Sequence, residues 1–170
     1  MAGILATSGI GAFTAATNSI ANVYGALGEA VSYIWKNRFM APEAIVVSPA
    51  RWGSWITQLD SESRPLFVPT ANGPLNAAGL LKNVDASGVV GEVLGVLVVV
   101  DAQISDQTAL VGRFSDAVLF ESGPRAQIYF EPGAAQLSVY LSVWGYAAFA
   151  VRYAQSFVAI SLTETPTYGS

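Results

Sequence analysis

The sequence predicts an α+β fold with a mixed sheet, and three patterns carry that prediction. Apolar residues first recur with a helical period over residues 18–36. A short β-branched run at residues 44–47 then leads directly into a second helix, and beyond it most apolar patterns have the length and period of strands. With 170 residues, the chain is expected to form one domain with a sizeable core.

The composition is unusually apolar for a protein that works as a monomer. Hydrophobic residues make up 52% of the chain, charged residues 12%, and the mean hydropathy is +0.45. The densest apolar runs, residues 93–100 and 140–151, are shorter than the roughly 18 residues that a membrane-spanning helix needs. Residues 1–10 lack the basic stretch of a signal peptide. The apolar excess therefore predicts burial against other copies of the chain, with no membrane.

Charge and residue usage argue against most enzyme and nucleic-acid functions. The net charge is −4, and the eight basic residues are scattered singly, which is not the footprint of a specific nucleic-acid site. The chain has no Cys and no His, so disulfides, thiolate metal sites and histidine chemistry are excluded. Gly9-Ile10-Gly11 begins like a dinucleotide-binding loop, but Thr14 stands where that motif needs Gly. We predict a protein that is not an enzyme, without cofactor or metal.

The first helix is predicted over residues 18–36, with Thr17 or Asn18 as its N-cap. Lys36 and Arg38 lie near its C-terminus, where the helix dipole favours positive charge. Residues 1–17, rich in Gly, Ala, Ser and Thr, predict an extended strand or loop ahead of this helix. The predicted buried stripe of the helix is Ile20, Val23, Leu27, Val31 and Ile34.

The second helix follows the predicted strand at residues 44–47 without a loop. Ser48 and Pro49 form an N-cap and first-turn pair. Its stripe, at i, i+3, i+4 and i+7, is expected to pack into the core; a small-ligand pocket beneath the two indoles is the alternative. That stripe consists of Trp52, Trp55, Ile56 and Leu59.

The second half of the chain is predicted to form strands separated by turns. Residues 60–74 predict a polar loop with a short extended piece at residues 66–68. A polar tail is expected at residues 163–170. The predicted strands are residues 93–100, 117–120, 126–130, 137–153 with a bulge or bend at Gly145, and 156–162.

Two carboxylate pairs could in principle provide acid–base chemistry without histidine. They are Asp60 with Glu62, and Asp101 with Asp106. Both pairs stand among turn residues, where carboxylates normally cap loops and face solvent. Arg64 could form a surface ion pair there, which would contribute about 0 to 1 kcal/mol. We assign no catalytic, cofactor-binding or metal-binding residue.

Six fragments, in order along the chain, carry a resemblance to a known family. They are "AGILATSGI" (2–10), "PEAIVVSPARWGSWITQL" (42–59), "DSESRPLFVP" (60–69), "GEVLGVLVVVDAQI" (91–104), "GRFSDAVLFES" (112–122) and "VRYAQSFVAISL" (151–162). Together they resemble the C-terminal portion of tailed-bacteriophage major capsid proteins of the Hong Kong 97-type fold. The second fragment is similar to that family's strand ending in Ser-Pro before a Trp-bearing helix.

The resemblance implies a mixed central sheet flanked by helices, with a long β arm. It assigns residues 18–133 and 155–165 to an axial domain, and residues 1–17 and 134–154 to strands of a peripheral domain. Family members carry an N-terminal arm, an extended loop and a spine helix ahead of this region, so the sequence is expected to represent part of such a protein. Because the loop that carries crosslinking residues is not in this sequence, no crosslinking residue is assigned.

The function that the resemblance implies is structural. Copies are expected to assemble through pentamers and hexamers into an icosahedral shell around phage DNA, with apolar contacts in the region of residues 66–81. Expected partners are other copies, scaffolding or portal proteins, and packaged DNA without sequence specificity; expected locations are the virion and, during assembly, the host cytoplasm. The alternatives are an encapsulin-like nanocompartment shell and a small-ligand-binding domain.

Overall fold

The computed structural model describes residues 3–17, 19–59, 63, 65–68, 79–81, 88–130 and 139–163. In these ranges, short 3-10 turns occur at Ile4–Ala6, Phe114–Asp116 and Ala154–Ser156. The helices are α1 Ile20–Arg38 and α2 Pro49–Ile56, and the strands are β1 Gly11–Ala15, β2 Ala44–Val47, β3 Phe67–Val68, β4 Gly79–Leu81, β5 Val89–Val93, β6 Val96–Val100, β7 Thr108–Gly112, β8 Ala117–Glu121, β9 Arg125–Phe130, β10 Val139–Trp144, β11 Ala147–Val151 and β12 Phe157–Leu162.

The described strands form one mixed eight-stranded sheet and two small antiparallel sheets. The order in the large sheet is β1-β12-β7-β2-β6-β5-β4-β3. Its pairs β1/β12, β2/β6 and β3/β4 are parallel, and the other neighbours are antiparallel. The small sheets pair β9 with β10 and β8 with β11. The predicted α+β class with a mixed sheet is confirmed.

Helix α1 begins slightly later than the sequence predicts. Its N-cap is Ser19, because the Thr17 hydroxyl accepts from the Ser19 N–H and from the Asn22 amide and so forms a turn ahead of the helix. Asn18 lies outside the described residues. The predicted stripe faces the core, with Val23, Leu27 and Ile34 buried and Val31 partly buried; the side chain of Ile20 is not described. Lys36 and Arg38 occupy the last turn, as predicted.

Helix α2 begins as predicted, but its stripe is only half buried. The Ser48 hydroxyl accepts from the Arg51 N–H, and Pro49 occupies the first turn. Trp52 and Trp55 lie in the core, whereas Ile56 and Leu59 are exposed because the helix ends at Ile56. One residue on the buried side of α2, Arg51, was not predicted from the sequence. The fully buried Arg51 guanidinium donates twice to the Asp106 carbonyl, at 2.8 and 2.6 Å.

The prediction of one strand over residues 93–100 is wrong. A tight turn at Leu94 and Gly95 splits the run into the β5/β6 hairpin, and both turn residues have positive φ values of 54° and 75°. Gly95 supplies the conformation that such a turn requires, but Leu94 is an apolar residue in a position that favours Asn, Asp or Gly. Because Leu94 packs against the core, the apolar run conceals the turn.

The core lies on one face of the large sheet and includes residues from both helices. Paired residues such as Ile45, Val98, Val111 and Val158 belong to one cluster with Leu27 of α1. Residues that alternate with them, including Ala44, Leu97 and Ser161, are partly or fully exposed on the other face. Every second residue of these strands therefore faces the helices.

The predicted strand at residues 137–153 is two strands. β10 pairs with β9 and β11 pairs with β8, with a break at Gly145 and Tyr146, which includes the residue where a bend is predicted. Residues 137 and 138 lie outside the described ranges. β1, from the segment that the resemblance assigns to the peripheral strands, pairs with β12 in the large sheet. The division into axial and peripheral domains stays a prediction.

Candidate assembly surface

Four strands form a long two-stranded arm that leaves the large sheet after β7 and returns at β12. β8 and β9 run outward, and β10 and β11 run back beside them. At about 3.3 Å per residue, the 14 positions of residues 117–130 span up to about 45 Å. The arm predicted from the sequence is therefore present, although its outward half begins at Ala117, well before residue 134.

The arm bends where three residues of one strand, 122–124, face two of the other, 145 and 146. The Ser122 N–H donates to the Tyr146 carbonyl, and the Tyr146 N–H donates to the Ser122 hydroxyl, both at 2.8 Å. The unequal count is that of a β-bulge, which increases local twist and bends a strand. The two hydrogen bonds keep the inner and outer parts of the arm joined.

The outer part of the arm, β9 with β10, has two chemically different faces. Side chains alternate between the faces, and cross-strand partners such as Ile128 and Leu141 share one. We call one the aliphatic face: Ala126, Ile128, Val139, Leu141 and Val143. The opposite face combines aromatic and polar side chains: Arg125, Gln127, Tyr129, Tyr140, Ser142 and Trp144.

The aliphatic face is open to solvent in a single chain. Ile128, Val139, Leu141 and Val143 are each more than half exposed, with Leu141 at 65%. Four large aliphatic side chains exposed side by side form an apolar patch, and such patches often mark interaction sites. A two-stranded ribbon is only marginally stable in water without a third layer. The face therefore has the character of a contact surface for another molecule.

The base of the arm is fixed by a buried carboxylate. Asp116, which precedes β8, accepts from Arg38 Nε at 3.0 Å and Nη2 at 3.4 Å, and from the Ser156 hydroxyl. The Arg38 guanidinium also lies 4.1 Å from the ring centroid of Tyr153. The backbone N–H of Arg152 donates to the Asp116 carbonyl at 2.9 Å. These contacts join both strands of the arm base to the C-terminus of α1.

A second carboxylate reinforces the same region. The Glu43 carboxylate accepts from the Ser115 N–H at 3.0 Å and from its hydroxyl at 2.6 Å. It also lies 3.3 Å from Arg113 Nη1. Since Glu43 precedes β2 in the large sheet, the turn that starts the arm is held from the sheet side as well as from α1. We call Arg38, Glu43, Arg113, Asp116 and Ser156 the anchor.

Both anchor carboxyl groups are stabilised in the ionised form. Partial burial by itself would raise the pKa of Asp116, but the hydrogen bonds from Arg38 and Ser156 and the charges of Arg38 and Arg113 outweigh it. The pKa of Asp116 therefore lies below its usual value. The pKa of Glu43 is lowered in the same way, since the Ser115 hydrogen bonds and the Arg113 charge outweigh burial. The anchor is accordingly a charged network at neutral pH.

A second exposed apolar group lies at the C-terminus of α1. Trp35 is 52% exposed, Phe39 82% and Met40 40%; we call these residues the aromatic patch. Phe39 has a left-handed backbone, with φ 57°, and its N–H donates to the Trp35 carbonyl as the helix ends. Gly or Asn normally occupies such a position because a side chain there is strained. Phe39 therefore combines a strained backbone with nearly complete exposure of an aromatic ring.

Of the predicted candidate carboxylates, Asp101 and Asp106 lie in the part of the chain that the structure describes. Asp101 is exposed, and its carboxylate accepts from the Gln103 N–H at 2.8 Å, while the Asp106 carbonyl binds Arg51. Asp60, Glu62 and Arg64 lie outside the described residues, as do residues 69–78 of the predicted contact region. Leu66 and Phe67 of that region are buried in the core and are not a contact surface, which corrects the prediction for them.

The two indoles above the predicted ligand pocket are packed together. Trp52 lies edge-on to Trp55 at 6.3 Å and to Phe67 at 5.3 Å, measured between ring centroids. Open cavities of about 280 and 350 Å³ lie elsewhere, at the bend of the arm beside Ser122 and at the arm base beside Tyr153. The described residues contain no group of three potential metal ligands and no helix long and apolar enough to cross a membrane.

Comparisons with known proteins identify the fold. No protein-family model and no curated protein sequence matches this chain. Among solved structures, the capsid of an empty GTA particle has a TM-score of 0.59 at 11% identity, covering 91% of this chain and 50% of that one. A structure of Gordonia phage Cozz gives 0.52 at 16% identity, with 93% and 51% covered. A virus-like particle from Pyrococcus furiosus gives 0.51 at 12% identity, with 93% and 58% covered.

The predicted Hong Kong 97-type capsid fold is confirmed by these likenesses, which extend over nine-tenths of the chain. At identities of 11 to 16%, they show a shared fold. This chain spans between 50 and 58% of the length of those three structures. Function has to be argued from the surfaces that this chain itself presents.

Proposed function

We propose that this chain is the shell-forming part of a major capsid subunit, which self-assembles through rings into an icosahedral shell enclosing phage DNA. The observation that carries the proposal is the arm: an ordered ribbon, built on a fold shared with capsid proteins, whose aliphatic face is exposed in the single chain. Other copies of the chain are the natural cover for such a face, because a surface present once per subunit can be used repeatedly in a ring.

The charge distribution supports a structural role. The charges of Arg38, Arg51 and Glu43 hold the arm base and the β6–β7 connection. The net charge of −4 fits a shell that encloses DNA without gripping it, since DNA attracts basic surfaces. The proposal includes scaffolding or portal proteins as further partners, the virion as location, and the host cytoplasm during assembly. No comparison favours a nanocompartment shell over a viral one.

Self-association of the chain tests this function directly. In sedimentation velocity over a concentration series reaching about 1 mM, we expect the 170-residue chain to form oligomers, with rings or shell fragments visible by negative-stain electron microscopy. The variant Ile128→Thr with Val143→Thr keeps residues that suit strands but makes the aliphatic face polar, so it should associate less. Leu5→Thr, at a residue 48% exposed outside the arm, is the matched control.

Two results would contradict the proposal. A wild-type chain that stays monomeric throughout the concentration series would remove self-assembly as its function. Equal association of the arm variant and the wild type would remove the arm as the surface responsible. Circular dichroism of each variant establishes that the fold is retained, which we expect because both arm substitutions are at exposed positions.

A further inference from the structure

We infer that the open cavity at the base of the arm binds an oxyanion, a carboxylate or phosphate group, through the guanidinium of Arg152. The cavity has a volume of about 350 Å³ and is lined by Gly9, Arg152, Tyr153, Ala154 and Gln155. This volume lies at the lower end of the roughly 300 to 1,000 Å³ that small-ligand sites occupy. Such a site does not require that the chain form a shell.

The charges at the arm base do not balance. Its carboxylates, Asp116 and Glu43, are paired with Arg38 and Arg113. The backbone N–H of Arg152 donates to the Asp116 carbonyl, but no carboxylate of the described residues lies within ion-pair distance of the Arg152 guanidinium. One positive charge is therefore unmatched there, although the net charge of the chain is −4.

The backbone that carries this charge is held on both sides. Arg152 directly follows β11, and its N–H lies 2.9 Å from the Asp116 carbonyl oxygen. The next residue, Tyr153, has its ring 4.1 Å from the Arg38 guanidinium, measured from the ring centroid. A fixed backbone reduces the entropy that a ligand has to overcome. Because Arg152 is exposed, an anion can reach its side chain from solvent.

The chemistry of the lining selects an oxyanion. A guanidinium presents its N–H donors as a planar fork that matches two oxygens of a carboxylate or phosphate. The amide of Gln155 and the hydroxyl of Tyr153, both exposed residues that line the same cavity, are further hydrogen-bonding groups. A dissolved anion and an acidic side chain of a second copy offer the same group, so the experiment has to separate these two sources.

Arg152→Gln is the test variant, and Arg125→Gln is its matched control. Both remove one positive charge from an exposed arginine, but Arg125 lies in the outer arm and does not line the cavity. The probe is inorganic phosphate, added to dilute protein at constant ionic strength so that screening stays the same. Nuclear magnetic resonance of the backbone amides reports binding. We expect saturable shifts at residues 9 and 152–155 of the wild type.

The variants should separate clearly. Arg152→Gln should bind phosphate at least tenfold more weakly, because it loses the charge-assisted hydrogen bonds. Arg125→Gln should bind phosphate like the wild type. Arg152→Lys keeps the charge without the fork and should fall between the wild type and Arg152→Gln. This third variant also tests the site if Arg152→Gln proves unstable.

Sedimentation velocity then identifies the source of the anion. If an acidic side chain of a second copy fills the site, Arg152→Gln should associate several-fold more weakly than Arg125→Gln, and phosphate should weaken association of the wild type. If the ligand is a dissolved anion, both variants should associate equally while phosphate still binds at Arg152. Either result keeps the site and names what occupies it.

Two results would overturn the inference. Equal phosphate shifts in Arg152→Gln and the wild type would show that the guanidinium does not bind the anion. Shifts that spread over the surface without saturation would show an adventitious ion only. The proposed function is tested separately, since a wild-type chain that binds phosphate through Arg152 but never associates would remove shell formation and leave the site.

Discussion

Gly112→Ala should destabilise the protein at the point where the arm leaves the sheet. Gly112 is the last residue of β7, and a Cβ atom there would lie 2.4 Å from Cδ1 and 2.8 Å from Cε1 of Phe157. Carbon atoms in contact normally lie about 3.5 to 4.0 Å apart. The added methyl group therefore requires the Phe157 ring or the backbone to move by about 1 Å.

The ring has little room to retreat. Phe157 is fully buried and packs edge-on against Phe114, with 5.6 Å between ring centroids. Overpacking of such a site typically costs about 1 to 3 kcal/mol. For a chain of this size, each kcal/mol lowers the melting temperature by about 2 to 4 °C, so we expect a decrease of about 2 to 12 °C.

Thermal denaturation followed by circular dichroism measures the effect. The control is Gly25→Ala, at an exposed position of α1 where an added Cβ meets nothing within 4 Å. This control should gain about 0.8 to 1 kcal/mol from helix propensity and melt at a higher temperature. A Phe157→Leu change should recover part of the loss in the Gly112→Ala background, since the two sites are in contact. Equal melting temperatures for Gly112→Ala and the wild type would refute the reasoning.

Three further predictions concern polar residues. Because the pKa values of Asp116 and Glu43 are lowered by folding, these groups stabilise the fold fully above about pH 4 and lose that contribution as pH falls through their folded pKa. Melting temperatures from pH 7 to 2 should therefore fall less steeply for Asp116→Asn with Glu43→Gln than for the wild type; parallel curves would contradict this. Arg51→Lys should cost about 2 kcal/mol or more in denaturant unfolding, because Lys cannot reproduce the buried guanidinium fork on the Asp106 carbonyl; wild-type stability would show that the fork is dispensable. Ser48→Ala should cost about 1 kcal/mol through loss of the α2 cap, whereas Ser48→Thr should lose less, and equal losses would exclude capping as the cause.

Local patterns with one regular period were predictable from the sequence. The α1 stripe, the cap at Ser48 and the strands β8 and β9 follow rules that involve neighbours only a few residues away. The β5/β6 hairpin was not predicted, because Leu94 combines a turn conformation with core packing and leaves an unbroken apolar run. Here tertiary packing overrides the preference of turns for polar residues.

The candidate assembly surface could be predicted from the sequence only in part. Apolar composition indicated self-association, but a strand pattern does not tell whether the alternate face is covered by the same chain. The assignment of contacts to residues 66–81 placed Leu66 and Phe67 at an interface, whereas both pack in the core. The anchor joins Arg38 to Asp116, 78 residues apart, so no local spacing could reveal it. The sequence feature that points to Phe39 is its position as a bulky residue directly after the basic end of a predicted helix.

The few charged residues and the many apolar ones serve different parts of the arm. Nine of the eighteen exposed large hydrophobic residues described lie within residues 117–151, whereas the anchor at the base is polar and charged. Association through the aliphatic face loses less entropy when the arm is already held in place before binding. Asp116→Asn leaves the aliphatic face and the aromatic patch unchanged but loosens the base. It should therefore weaken the association constant several-fold in sedimentation velocity, whereas an unchanged constant in a measurably less stable chain would show that the arm needs no anchoring to bind.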